Sequence, residues 1–276
     1  MKKHVLTSFA IASLLAVASF NTLGVKTAAA DEDDGTRYYY PEVATCAVTS
    51  ETFSCTSMVE TETVTQYRMP LYDATGDLTN CCGAVGGAII VGFYDRYYPD
   101  LIPNWTPYFS NNMYKYADTT YVPAVIEELY VLMRTNVDDV GVSQTDCRNG
   151  LQTYFTNKGR TLTYSSVEVA SSFYYPAYKQ AINANKPVLM FCKDVTVSLL
   201  VYSNSQSAAV FSHQSISGGH IVVGYGYSTV NYYDGDEIIR TDNYLLVSTG
   251  RDGILDAYIN ISSTDWLVDG YAVTVS

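Results

Sequence analysis

Apolar and polar positions along this chain follow two periods, and the change from one to the other divides it. From Tyr38 to about Tyr72, Val, Thr and Tyr dominate between Pro41 and Pro70, which predicts a few short strands. Asp77 to Asn80 is polar loop. Gly83 to Tyr98 then places Ala84, Val85, Ala88, Ile89, Ile90, Phe93 and Tyr94 as a buried helix should, stopped before Pro99. Its glycines at 86, 87 and 92 lower helix propensity but suit a helix packed closely against another element. A second helix is predicted over Val122 to Thr135, with Pro123 in its first turn and Val125, Ile126, Leu129, Leu132 and Met133 on one face. A third covers Ser143 to Lys158, and a fourth opens at Ser171 or Ser172 and runs to about Asn185.

Beyond the fourth helix the period shortens. Pro187 to Cys192, Ile221 to Tyr227, Ile238 to Arg240, Tyr244 to Val247, Ala257 to Ile261 and Tyr271 to Val275 read as strands between Gly, Asp and Asn turns. Asp234-Gly235-Asp236-Glu237 reads as a hairpin turn, since it lacks the full ligand series of a calcium loop. Helices first and strands second predict an α+β fold, an antiparallel sheet packed on a helical part. No repeat or low-complexity linker divides residues 31–276, so a single domain is expected, with 31–79 as its strand-rich N-terminal segment. That segment suits either an inhibitory prosegment or an integral strand layer.

The chain has 276 residues, 47 % of them apolar and 16 % charged, which excludes a disordered polymer. With 16 basic against 28 acidic residues its net charge is −12, the wrong sign for gripping nucleic-acid phosphates. Lys2 and Lys3, the apolar run from Phe9 to Phe20, and Ala28-Ala29-Ala30 before Asp31 have the form of a secretory signal peptide over residues 1–30. The run is short for a membrane span, and no later stretch is longer. Export followed by cleavage would leave a secreted or cell-surface protein without a membrane segment. Only His213 and His220 would remain for histidine chemistry. Tyrosine is unusually abundant, with 26 residues, giving rigid amphipathic surface for covering sheets or for contacting sugars or peptides.

The six cysteines are Cys46, Cys55, Cys81, Cys82, Cys147 and Cys192. Export permits disulfides, and Cys46 with Cys55, across a predicted hairpin, is the easiest pair to close. No C-x-x-C occurs. Cys82 stands where the helix of residues 83–98 begins, and a helix N-terminus stabilises thiolate through its dipole and unsatisfied N–H groups. His220 opens an apolar strand that can hold it facing that thiol, which together make an activated Cys–His pair. A zinc site on Cys81, Cys82, His213 and His220 fits tetrahedral geometry poorly, so no metal and no cofactor are expected. No G-x-S-x-G, H-E-x-x-H or phosphate loop is present.

Asn80-Cys81-Cys82-Gly83-Ala84 leading into a helix that ends Phe93-Tyr94-Asp95, with Gly219-His220-Ile221-Val222-Val223-Gly224-Tyr225 far downstream, resembles the papain-like cysteine peptidase superfamily. The branch it is most similar to is that of the bacterial double-glycine leader peptidases of bacteriocin exporters. The resemblance spans roughly Tyr38 to Ile261 and rests on those two blocks. It implies a papain-like fold, Cys82 as nucleophile and His220 as general base. Cys81 then falls on a variable position, as a buried or disulfide-bonded thiol or as an alternative nucleophile. His213 is expected in a solvated Ser/Gln-rich loop.

Two positions depart from the pattern. The residue that orients the histidine, Asn or Asp in the family, aligns with Thr249; Asp242, Asn243 or Asp252 could replace it from a loop. The oxyanion-hole glutamine is replaced by Gly76, and Asn80, with the right amide but another spacing, is either its substitute or a turn-former. The expectation is therefore a secreted cysteine peptidase or amide hydrolase that acts on an extracellular peptide or protein, cell-wall peptides included. Its rival is a catalytically silent surface or adhesion module on the same fold. Oligomeric state is left open by the sequence.

Overall fold

The computed structural model describes residues 38–39, 47–66, 69–73, 78–104, 108–110, 113–115, 121–137, 141–251, 253–262 and 264–276. The proposed signal segment, Cys46, Gly76 and Asp252 lie outside them. Among the described residues the architecture is α+β: four helices and a nine-stranded antiparallel sheet. Among the described residues no helix is long and apolar enough to cross a membrane.

The large sheet holds β1 (Ala47–Ser54), β2 (Ser57–Glu60), β3 (Val64–Thr65), β4 (Leu162–Ser166), β5 (Val188–Ser203), β6 (Ala208–Asp234), β7 (Glu237–Ser248), β8 (Asp256–Asn260) and β9 (Leu267–Val275). Its order is β1-β6-β7-β8-β5-β9-β4, with β2 and β3 also on β6. Because β5 pairs with β6 as well as with β8, the sheet curls back on itself. The turn at Asp234–Glu237 is the β6–β7 hairpin predicted from its Gly and Asp residues.

Helix α1 (Cys82–Asp95) is buried along its whole length, which explains its lack of any charged face. Its glycines are required by space. A Cβ at Gly86 would lie 3.1 Å from Ile221 Cγ2, and one at Gly87 2.8 Å from Met133 Cε. The helix thus lies against β6 on one side and α2 (Tyr121–Leu132) on the other. It ends three residues earlier than the apolar pattern predicts, and the Asp95 carboxylate turns to accept the Ile102 N–H at 2.8 Å. Helix α3 (Gln144–Asn157) is capped by Ser143, whose Oγ accepts the Asp146 N–H at 3.0 Å.

Two sequence expectations are corrected here. Helix α4 (Tyr175–Asn183) opens at Tyr175, because Ser172–Phe173 pairs with Glu168–Val169 after a turn at Ala170 and Ser171, both at positive φ. The stretch around His213, expected as loop, is the outer half of a long hairpin, β5 with β6. There Val195, Val197 and Ile216 are buried, and β1 pairs alongside from Ala47↔Ser215 to Ser54↔Ala208.

Among the described residues the core has three parts. One lies between α1, α2, α3 and the inner halves of β5 and β6; a second sits beneath α4. A third, around Phe211, Tyr232 and Tyr244, fills the outer part of the sheet.

Candidate functional site

Helix α1 begins at Cys82, with Cys81 as the residue before its first turn. No side chain of Cys81 caps the helix and no acid occupies its first turn, so the positive end of the dipole is not offset locally. The Cys81 carbonyl accepts the Val85 N–H at 2.9 Å. Cys81 and Cys82 are both buried thiols. Cys55 is a buried free thiol, and Cys46, the partner suggested by their spacing, lies outside the described residues.

The start of α1 touches β6 beside His220. A Cβ on Gly83 would stand 3.5 Å from Ile221 Cδ1, 3.5 Å from Cys147 Sγ and 2.8 Å from Val142 Cγ1. The end of β7 reaches the same corner: a Cβ on Gly250, at φ +67°, would lie 2.9 Å from Val85 Cγ1. Cys82, His220 and Thr249 are therefore each adjacent in sequence to a residue of this three-way contact.

His220 stands inside β6, opposite Cys192 of β5, and not at a strand end as the sequence suggested. Its Nε2 lies 2.8 Å from the Thr249 carbonyl oxygen. A carbonyl only accepts, so Nε2 carries the proton and Nδ1 holds the lone pair. Among the described residues that buried Nδ1 has no hydrogen-bond partner. Burial lowers the imidazole to about 4, more than the Thr249 carbonyl raises it, and Arg251 adds a smaller lowering. The ring is neutral at physiological pH. The hydroxyl of Ser248, opposite Val223, is likewise buried without a partner.

Thr249 orients the histidine, but through its backbone. Its hydroxyl donates to the Ile254 carbonyl at 2.5 Å and accepts the Arg251 N–H at 3.2 Å, and so holds the turn that aims the carbonyl. Asp242 and Asn243 are not brought to His220. Asp242 accepts from Arg240 at 2.7 Å and from Tyr244 at 2.9 Å, and Asn243 accepts from Thr229 at 2.8 Å.

Asn80 takes a left-handed conformation, φ 54°. Its Nδ2 donates to Asn136 Oδ1 at 2.6 Å, and Asn136 in turn holds Thr79 Oγ1 and the Gly141 N–H. This is the turn-forming role, tying the approach to α1 onto the α2–α3 connection. The remaining thiols of the region are chemically quiet: burial pushes Cys147 up to about 12 and raises Cys192 further.

Compared with protein-family models, with curated proteins and with solved structures, this chain matches none. Sequence reasoning had the residues of the corner but missed the atom at Thr249, and it missed Gly250. The Thr-Gly pair after a strand was the available signal, since glycine at positive φ lets the turn approach α1.

Proposed function

We propose that this chain is a secreted cysteine peptidase or amide hydrolase of papain-like fold, with Cys82 as nucleophile and His220 as general base. The observation that carries the reading is the His220 ring: Nε2–H is fixed by the Thr249 carbonyl, and Nδ1 is a buried acceptor without a partner among the described residues, one residue along β6 from Ile221, which packs against the start of α1. A buried polar atom left unpaired is costly unless a function uses it.

In the proposed reaction Cys82 Sγ attacks the carbonyl carbon of a peptide bond and its proton passes to Nδ1. Developing negative charge on the thiolate stabilises the imidazolium. The Thr249 carbonyl supplies the stabilisation that a carboxylate or amide gives elsewhere. N–H groups of the first turn of α1 would hold the oxyanion, since the Asn80 amide is committed to Asn136. The imidazolium then protonates the leaving amine, and water, deprotonated by the same ring, releases the acyl group. No cofactor or metal enters the scheme.

A second reading, a silent binding module, draws support from cavity placement. Cavities of about 520 and 590 Å³ open beside Ser198 and beside Tyr175, and neither is lined by Cys82 or His220.

Alkylation by iodoacetamide, followed by pH and mapped to Cys82 by mass spectrometry, separates the two. The peptidase reading expects Cys82 to titrate well below the free-thiol value of about 8.5, and His220→Ala to abolish that shift. A thiol that is ordinary or unreactive, and indifferent to His220, would sink the reading.

A further inference from the structure

We propose that Ser198, His213 and Glu51 form a second nucleophilic site, one that transfers acyl groups from carboxylic esters of hydroxyl-rich alcohols such as acetylated sugars. It is independent of the Cys82 corner and shares no residue with it.

The three residues come from three strands. Ser198 of β5 and His213 of β6 are cross-strand partners, and Glu51 of β1 lies on the far side of β6. Ser198 Oγ is 2.8 Å from His213 Nδ1. Glu51 Oε2 is 3.5 Å from the other ring nitrogen, Nε2. A carboxylate favours the tautomer with the proton on Nε2, which leaves Nδ1 to accept from the serine hydroxyl. Nucleophile, base and base-orienting carboxylate thus stand in sequence, with the two ring nitrogens in the opposite sense to that of the usual serine triad.

The surroundings hold this arrangement. The His213 ring stacks on Phe211, centroids 5.6 Å apart and planes 10° from parallel. Glu51 is placed by Arg240 Nη1 at 3.5 Å, and Arg240 is anchored by Asp242 at 2.7 Å. Ser198 and His213 both line the cavity of about 520 Å³. The rest of its lining includes Lys193, Asp194, Thr196, Asn260, Ser262 and Trp266, polar groups with one aromatic ring, which suits an alcohol bearing several hydroxyls. The Thr196 hydroxyl, paired with Ser215 one rung along the same face, is a donor for the ester carbonyl oxygen.

The step balances without a cofactor. Ser198 Oγ bonds to the ester carbonyl carbon while its proton passes to Nδ1. Collapse breaks the bond to the alcohol oxygen, which leaves with that proton. Water then attacks the acyl-serine, giving one proton to Nδ1 and thence to Oγ, and the carboxylic acid departs.

The test uses the full chain with Cys82→Ala, so that no thiol chemistry at that residue contributes. A fluorophosphonate probe forms an Oγ–P bond with loss of fluoride, and peptide mapping locates it. Labelling at Ser198 is expected, slowed at least about tenfold by His213→Gln. Glu51→Gln should slow labelling of Ser198 at least about tenfold with the urea midpoint unchanged, because a neutral amide no longer stabilises the charge that His213 takes up with the serine proton, and Glu51→Asp should restore part of the rate. A Glu51 that only braces the strands would lower the midpoint and leave the labelling rate of the folded protein in place. Glucose pentaacetate should release acetate, and Ser198→Ala should abolish the release. Absence of label on Ser198, labelling indifferent to His213, or acetate release that survives Ser198→Ala overturns the proposal. Labelling without acetate release overturns its substrate class.

Discussion

The β5–β6 hairpin is one continuous structure with two unlike halves. Its inner half, Val188–Lys193 against Gly219–Gly224, lies between α1 on one face and α4 on the other, and His220 there is only 1 % exposed. Its outer half, Val195–Ser203 against Ala208–Ile216, leaves much of one face to solvent, and the His213 side chain is 23 % exposed. Both histidines bond through one ring nitrogen to an oxygen at 2.8 Å. The buried one has a backbone carbonyl and no carboxylate; the half-exposed one has a serine and a glutamate that an arginine holds in place. In low dielectric a nearby ionised carboxylate needs compensation of its own, whereas a carbonyl dipole orients the ring without adding a charge. Distance from solvent thus decides which kind of partner a histidine can keep.

The largest expected effect follows from His220. In the unfolded chain it titrates near 6.5, and in the fold burial lowers it to about 4. As pH falls below 6.5 the unfolded chain binds a proton that the folded chain refuses. His220 therefore leaves stability intact above that pH and removes it down to about 4, by up to about 3 kcal/mol. Asp95 acts in the opposite sense, because burial raises its carboxyl to about 6 and the folded chain takes that proton first. Urea unfolding of wild type and His220→Gln at pH 7, 6, 5 and 4 isolates the histidine. The stability of wild type relative to the variant should drop across the series by about 3 kcal/mol. Parallel curves would mean that the ring is wet and that the inner half is no different from the outer.

Next comes the contact that fits α1 to the inner half. Gly83→Leu introduces a side chain whose Cβ alone would lie 2.8 Å from Val142 Cγ1. Overpacking of this kind costs about 2 kcal/mol, beyond the helix propensity gained on replacing glycine. The urea midpoint should fall accordingly. The Ser198 labelling rate, which depends on the outer half, should stay as it was. Loss of both together would show that the halves do not behave separately.

Much of the inner half could be read from the chain. Ala, Val and Ile at helical spacing with glycine between them predicted a buried helix, and the helix packs on β6 through Gly86 and on the α2 side through Gly87. The outer half was missed for a physical reason. Ser212, Gln214 and Ser215 are polar and look like loop, but they belong to a strand whose neighbours come from Ala47–Ser54 and Val195–Ser203. Polar residues on the open face of an antiparallel sheet carry no local mark of pairing. Glu51 and His213 meet across 162 positions of sequence, which no short-range pattern reports. Thr249 shows a subtler limit: the residue aligned with the right position, yet its carbonyl serves where its hydroxyl was expected.

The smallest effect gives the sharpest comparison, because it uses one substitution on one face of one strand. Val197 and Val201 share a face of β5 by strand alternation, and they are 0 % and 59 % exposed. Replacing valine by threonine keeps the β-branched shape and adds a hydroxyl. At Val197 that hydroxyl must leave water for the core beneath α4, at a cost of about 1–3 kcal/mol. At Val201 it stays in water, and the change should be within about 0.5 kcal/mol. Equal losses at the two positions in urea unfolding would mean that the outer face is covered in solution. A second copy of the chain is then the first partner to look for, by sedimentation at rising protein concentration. Unequal losses leave that face open and the two halves distinct.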